Sequence, residues 1–303
     1  MTAGDGAATL TVAAPAKLNL YLHVVGRRPD GFHLLDSLVA FAAVGDELSF
    51  TPAADLTLAI DGPFAGHLAA DADNLVLRAA RSLATASGRA PAVAIRLTKR
   101  LPIASGIGGG SADAAATLQG LNALWNLGLG ADRLSAIALG LGADVPVCLA
   151  GTPSFFGGIG DEIAPAPALP STHLVLINPG VPLPTASVFR ARAAGSAAMQ
   201  FSAPSRWSTA VPDVVALAGQ LAKRRNDLTA AAVALVPAIA DVLTCLERLP
   251  DCLLARLSGS GATCFGLFAG RGAARAAAAA IAAERPSWWV VATTLSAAAG
   301  RLH

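Results

Sequence analysis

The sequence is poor in the features that mark several large functional classes. Only 5% of its 303 residues are aromatic, and its 22 basic residues are scattered apart from Arg27-Arg28 and the trio Lys223-Arg224-Arg225. A nucleic-acid binder gathers basic residues into a stripe with aromatics between them, so that class is disfavoured. The four cysteines (Cys148, Cys245, Cys252 and Cys264) form no Cys-x-x-Cys pair and have no histidines at zinc spacing. They read as reduced thiols packed as small apolar groups. Although 54% of the residues are hydrophobic and the mean hydropathy is +0.55, much of this is alanine, and no run of about 18 large apolar residues could span a bilayer. The best stretch, Leu134 to Gly160, is broken by Asp144, Pro146 and several glycines. Met1 to Leu10 carries Asp5 and no basic residue, unlike the charged start of a secretory signal. A soluble, cytoplasmic protein with no nucleic-acid or membrane partner is therefore expected.

The usual nucleotide signatures are missing too. Walker A needs a Gly-Lys pair, and there is none. The Rossmann pattern Gly-x-Gly-x-x-Gly fails because Ser111 stands where the third glycine belongs, and the protein-kinase triplets His-Arg-Asp and Asp-Phe-Gly are absent.

What is present begins with a strand, Thr9 to Val25, in which Leu18, Leu20, Leu22 and Val24 alternate with Lys17, Asn19, Tyr21 and His23. Further strands are expected over Val44 to Phe50, Leu56 to Ile60, Ala92 to Thr98, His173 to Asn178 and Trp288 to Thr294. Helices are expected over Asp73 to Gly88, Ser111 to Asn126, Asp132 to Gly142, Val211 to Arg225 and Ala273 to Glu284. Leu253 to Phe268 reads as a hairpin turning at Ser258-Gly259-Ser260-Gly261. The length implies about two domains. The prolines of Ile163 to Ser171 mark the boundary, giving 1–164 and 165–303.

One segment carries most of the chemistry. Pro102-Ile103-Ala104-Ser105-Gly106-Ile107-Gly108-Gly109-Gly110-Ser111 holds four glycines in five positions and runs straight into a helix. Such a loop can turn several backbone N–H groups toward one point, and the helix start behind it adds partial positive charge; together they bind phosphate oxygens. Two charged residues could complete the site. Lys17 fits a solvated strand face as well as a phosphate site. Asp144, in Gly142-Ala143-Asp144-Val145-Pro146, fits a simple turn as well as a carboxylate that accepts a hydroxyl proton or helps hold a metal.

Pro15-Ala16-Lys17-Leu18-Asn19-Leu20, the glycine-rich loop and Leu257-Ser258-Gly259-Ser260-Gly261-Ala262 resemble, in order and spacing, the three motifs of the GHMP kinases, which phosphorylate small metabolites. Within that family, Pro15 to Leu22, Arg28 to His33, Asp73-Asn74-Leu75, Lys99 to Pro102, Gly140 to Pro146, and Asn178-Pro179-Gly180 leading to Thr185 and Phe189 are similar to the kinases acting on 4-diphosphocytidyl-2-C-methyl-D-erythritol in the non-mevalonate isoprenoid route. Phe32 departs from the tyrosine usual there, keeping a stacking face without the hydroxyl.

The resemblance implies a two-domain α/β (α+β) fold: a ribosomal-protein-S5-like N-terminal domain and a ferredoxin-like C-terminal domain, with the active site in the cleft between them. It implies ATP with Mg²⁺, the nucleotide lying against Asn74, Lys99, Pro102, Ala104, Ser105, Gly106, Ile107, Gly108, Gly109, Gly110 and Ser111. Asp144 would be the base and Lys17 the charge stabiliser. The acceptor would meet Lys17, Asn19, Phe32, His33, Asp144, Thr185, Phe189, Gly259 and Ser260, its cytosine lying between Phe32 and Phe189 and read by His33. No residue is assigned to the metal, and a monomer or weak homodimer is expected. Two further readings stay open: a GHMP enzyme for another acceptor, such as homoserine or mevalonate, and a nucleotide-binding regulator without turnover, against which the presence of both Lys17 and Asp144 speaks.

Overall fold

The computed structural model describes residues 9–195 and 200–296. Two long antiparallel strands, β1 (Leu10–Arg27) and β2 (His33–Pro52), form its spine. Along β2, one end pairs with β4 (Val93–Thr98), which carries β3 (Thr57–Asp61) in parallel on its far edge. The other end pairs with β5 (Ser154–Gly158), which folds back into β6 (Glu162–Pro165). Helices α1 (Leu75–Ala86), α2 (Gly109–Leu124), α3 (Ala131–Leu139) and α4 (Val145–Ala150) close over this sheet. Val12, Phe41, Phe50, Leu97, Leu118 and Leu121 are fully buried in the core they share.

In the second half, β7 (His173–Asn178) lies between β10 (Trp289–Ser296) and β9 (Cys264–Phe268), and β8 (Cys252–Leu257) forms the edge. All these pairs are antiparallel. With intervening helices, this is the βαββαβ order of a ferredoxin-like unit. Helices α8 (Ala238–Glu247) and α9 (Arg271–Glu284) bury Ile239, Val242, Leu246 and Ile281 in the core on one side of the sheet. On the other side α6 (Val214–Ala222) seats Leu217 and Leu221. Helices α5 (Thr185–Ala194) and α7 (Thr229–Leu235) complete the second half.

The two halves share one sheet. Leu295 and Ser296 of β10 pair with Ala42 and Phe41 of β2. A further core, from Leu18, Leu20 and Leu38 to Leu174, Leu176 and Phe265, fills the space between the halves.

Several local expectations change. β1 is buried on both faces, because helices cover one side and the second half covers the other: Leu20 and Tyr21 are both 0% exposed. Asp144 lies at the start of α4 rather than in an irregular connection, since Pro146 at the beginning of that helix costs no intrahelical hydrogen bond. β6 already takes up Ile163 to Pro165 of the proline-rich connection.

Candidate active site

The glycine-rich loop leads from β4 into α2. Gly108, in the left-handed conformation (φ +63°), precedes the first residue of the helix, and Gly106 is left-handed as well (φ +74°). A side chain at Gly106 would be obstructed by more than its φ: a Cβ there would lie 2.5 Å from both the Gly261 nitrogen and the Ser258 carbonyl oxygen. The phosphate loop and the hairpin turn therefore interlock backbone to backbone. Hydrogen bonds tie the three sequence motifs into one assembly. The Ser258 hydroxyl donates to the Gly106 carbonyl (3.0 Å) and accepts from the Asn19 backbone N–H (3.2 Å). The Thr263 amide donates to Ser105 (3.0 Å), and the Lys17 amide donates to Ile107 (2.9 Å).

Lys17 faces Asp144 over this assembly. Its Nζ lies 3.0 Å from the Asn19 Oδ1 and 3.0 Å from the Asp144 Oδ2. The Asn19 amide donates to the Ser37 hydroxyl at 2.8 Å, which turns its oxygen toward the lysine. The side chain of Lys17 is 5% exposed and that of Asp144 37%, so the carboxylate is the member a substrate can reach. The solvated-face reading of Lys17 is thereby excluded.

These groups line a cavity of about 580 Å³, in the range of small-molecule sites. The cavity brings together Lys17, Asn19, Asn74, Lys99, Pro102, Ala104, Ser105, Gly106, Gly108, Gly109, Gly110, Ser111, Asp144, Thr185, Phe189, Gly259 and Ser260. At one end the Asn74 side chain caps α1, accepting from Val76 (3.0 Å) and donating to Ala69 (2.9 Å). An amide has two donors and two acceptors, so one of each remains for a ligand. Elsewhere on the cavity wall, the hydroxyls of Thr185 and Ser260 are 2.9 Å apart.

Three expected residues do not line this cavity. The Ile107 side chain is buried in the shared core, so only its backbone is available. Phe32 is 60% exposed. His33 stacks on Phe189, the ring centroids 5.1 Å apart and the planes at 29°. The stack covers one face of each ring and leaves Phe189 on the cavity wall. The Nε2 of His33 is buried without a hydrogen-bond partner. Burial, reinforced by Arg192 and Arg27, holds the imidazole below its usual titration range.

Lys99 is not a free cation at the adenine end. Its Nζ makes two contacts of 2.6 Å, to Asp46 Oδ2 and Asp113 Oδ2. Burial alone would lower its pKa, and the two carboxylates reverse that and raise it. Asp46 and Asp113 escape a motif search because neither stands in a recognisable pattern. One signal was available: the chain has only three lysines, Lys17, Lys99 and Lys223. In a protein that otherwise uses arginine, two of them are buried in this cleft.

The family profile of the GHMP kinases N terminal domain matches residues 74–152, and that of the GHMP kinases C terminal region matches 211–286. A 4-diphosphocytidyl-2-C-methyl-D-erythritol kinase of Paramagnetospirillum magneticum is 54% identical over 288 residues, covering 95% of this chain and 99% of the relative. The chain belongs to the GHMP kinases, in the 4-diphosphocytidyl-2-C-methyl-D-erythritol kinase family. The enzyme of that name from Rhodospirillum rubrum is 48% identical over 290 residues, covering 96% of this chain and 94% of its own. A solved structure of a 4-(cytidine 5'-diphospho)-2C-methyl-D-erythritol kinase matches with a TM-score of 0.75 at 35% identity, over 94% of this chain and 99% of that one. The homoserine kinase of Cytophaga hutchinsonii matches with a TM-score of 0.71 over 100% and 99% of the two chains; at 17% identity that likeness concerns the fold alone. In this GHMP kinase the two profile matches flank residues 153–210. Thr185 and Phe189 fall in that interval, outside the parts matched by the general family profiles.

Proposed function

We propose that this chain transfers the γ-phosphoryl group of ATP to a hydroxyl of 4-diphosphocytidyl-2-C-methyl-D-erythritol, a step of the non-mevalonate route to isoprenoid precursors. Supporting this reading is the Lys17–Asp144 pair, set 3.0 Å apart beside a glycine-rich loop in one cavity. The triphosphate lies along Gly106 to Ser111, where backbone N–H groups and the α2 N-terminus favour negative charge. The acceptor hydroxyl gives its proton to Asp144 as its oxygen bonds to the γ-phosphorus, and the bond to the β–γ bridging oxygen breaks to leave ADP. Lys17 stabilises the charge that develops on the attacking oxygen. Phe189 and His33 hold the cytidine end, while Thr185 and Ser260 contact the acceptor nearer the phosphate loop. Such catalysis consists mainly of positioning and charge neutralisation.

For Mg²⁺, no group of three or more histidine, cysteine or acidic side chains is gathered among the described residues. That fits an ion carried on the nucleotide, since Mg²⁺ keeps its waters and binds largely through substrate phosphates. When bound, the ion neutralises charge on the β- and γ-phosphates.

We divide the chain between residues 164 and 165, before the last residue of β6. Among the described residues no helix is long and apolar enough to cross a membrane. A cytoplasmic monomer or weak homodimer completes the reading, checked by fractionation and by sedimentation. The activity is tested by ADP release from ATP and Mg²⁺ with three acceptors: the diphosphocytidyl alcohol, homoserine and mevalonate. Turnover with the first alone is expected. Turnover with another acceptor would reject the cytidine site, and ATP binding without any turnover would reject the kinase reading.

A further inference from the structure

Behind the phosphate loop lies a charge cluster that the transfer chemistry does not use. Lys99, Asp46 and Asp113 have side chains 3%, 0% and 3% exposed, and the ammonium sits between the two carboxylates at 2.6 Å from each. Asp46 reaches further. Its other oxygen accepts the backbone amides of Arg100 (2.6 Å) and Leu101 (2.8 Å), immediately before Pro102 opens the loop. Asp113 stands just past the first turn of α2, where the loop ends. The cluster thus joins both ends of the loop to β2. A Cβ added to Gly109 would lie 3.2 Å from the Lys99 Nζ, so a side chain there would press on the ammonium.

The charges do not balance. Two carboxylates share one ammonium, and the Asp113 Oδ1 is buried without a hydrogen-bond partner. An uncompensated carboxylate in such a place is costly, and a proton is the simplest remedy. Burial, with Asp46 adding and Lys99 opposing, pushes the Asp113 carboxyl up to about 7. The groups facing it are Lys99 after β4 and Asp46 on β2, then the Cys148 thiol of α4. Cys148 titrates far above neutrality because of its burial, and the Lys17–Asp144 pair lies beyond it with its charges matched. A triphosphate bound along the loop adds several negative charges to this balance, because Lys99 and Asp113 line the same cavity.

We propose that Asp113, held by Lys99 and Asp46, is a positioning residue for the phosphate loop that takes up a proton when ATP binds. The inference rests on ATP occupying this loop, as proposed above. A purely structural clamp would hold the loop equally well but would exchange no proton.

The test is calorimetry of ATP with saturating Mg²⁺ and no acceptor at pH 7.5, in buffers of different ionisation enthalpy. A carboxyl pushed up to about 7 is mostly ionised at that pH, so the charge brought by ATP is expected to draw in a fraction of a proton per ATP. The ATP dissociation constant then rises with pH across neutrality, by less than about tenfold per pH unit. Asp113→Asn, with folding checked by its thermal transition, is expected to abolish both the uptake and the pH dependence. Binding without proton uptake, or equal uptake in Asp113→Asn, would overturn the inference and leave the kinase reading intact; no binding heat at all would remove both. Infrared difference spectra of the unmutated enzyme give an independent check, because ATP must produce a new protonated-carboxyl band, and its absence would also overturn the inference.

Discussion

The Nζ of Lys17 and the Oδ2 of Asp144 meet at 3.0 Å although 127 positions separate them in the chain. One comes from the middle of a strand buried on both faces and the other from the start of a short helix, so the fold fixes their separation. For Asp144→Asn, which keeps the shape and removes the proton acceptor, kcat is expected to fall by about 10²- to 10⁴-fold. The ATP KM should change little, because the loop that cradles the phosphates is untouched. Steady-state kinetics varying ATP at saturating acceptor checks this, and an unchanged kcat would remove Asp144 as the base.

The two left-handed glycines of the loop should fail in different ways. Gly106→Ala puts a methyl group 2.5 Å from backbone atoms of Ser258 and Gly261, where nothing can rotate aside, and a loss of about 2–4 kcal/mol in stability is expected. Gly108→Val forces a β-branched residue into φ +63° against the Lys17 Cβ and Cε at 3.1 Å; it should lose about 1–3 kcal/mol as well and, by displacing the loop and Lys17, raise the ATP KM about tenfold or more. Urea unfolding and ATP titration of both variants separate the two outcomes.

Phe189→Ala is expected to raise the acceptor KM about tenfold and leave the ATP KM near normal, since stacking on one base contributes about 1–3 kcal/mol. The reverse pattern would reject the stacking role. Burial, then Arg192 and Arg27, lower the His33 pKa below its usual 6.5. On acidification the unfolded chain therefore binds this proton before the native one does. The contribution of the neutral ring is complete above about pH 6.5 and is lost as pH falls toward the native value. Titration of the His33 ring protons by NMR should give a midpoint below 6.5.

Lys99→Met strands two buried carboxylates and is expected to cost about 3–5 kcal/mol, a fall in Tm of roughly 5–10 °C. Adding Asp113→Asn should restore part of it. Asp113 itself has the opposite pH signature to His33. Its native pKa lies at about 7 against an ordinary 3.8, so the native state holds the extra proton and loses stability as pH rises through that window. The Tm of the unmutated protein, measured against that of Asp113→Asn, should decline as pH rises from 3.8 to about 7. A constant difference would show that Asp113 does not titrate there.

The sequence is most legible where a backbone requirement forces composition. A loop whose φ angles and backbone contacts exclude side chains had to be glycine-rich, so Gly106 and Gly108 stand out without any partner being known. The strands of the second half were readable because β7, β8 and β9 are short apolar runs between turns. The Asp46–Lys99–Asp113 cluster was not, because each residue alone looks like an ordinary polar position and only the fold brings them to 2.6 Å. The short helix α4 escaped for a related reason: Val145–Ala150 has too few residues to display a period. Phe32 and His33 mark the limit of a motif. The sequence places two rings side by side, and the structure turns one to solvent and stacks the other on Phe189.

The short seam between β2 and β10 limits how this enzyme can move. Leu22 and Val24 of β1 are embedded in the core of the second half, and Leu22 exchanges backbone hydrogen bonds with Arg225 and Asp227. The jaws of the cleft are cut from one piece, so a swing about a hinge would have to shear both the seam and that embedded strand. Adaptation to successive substrates falls instead to rings and small loops at the rim, and small-angle scattering should find the same envelope with and without nucleotide.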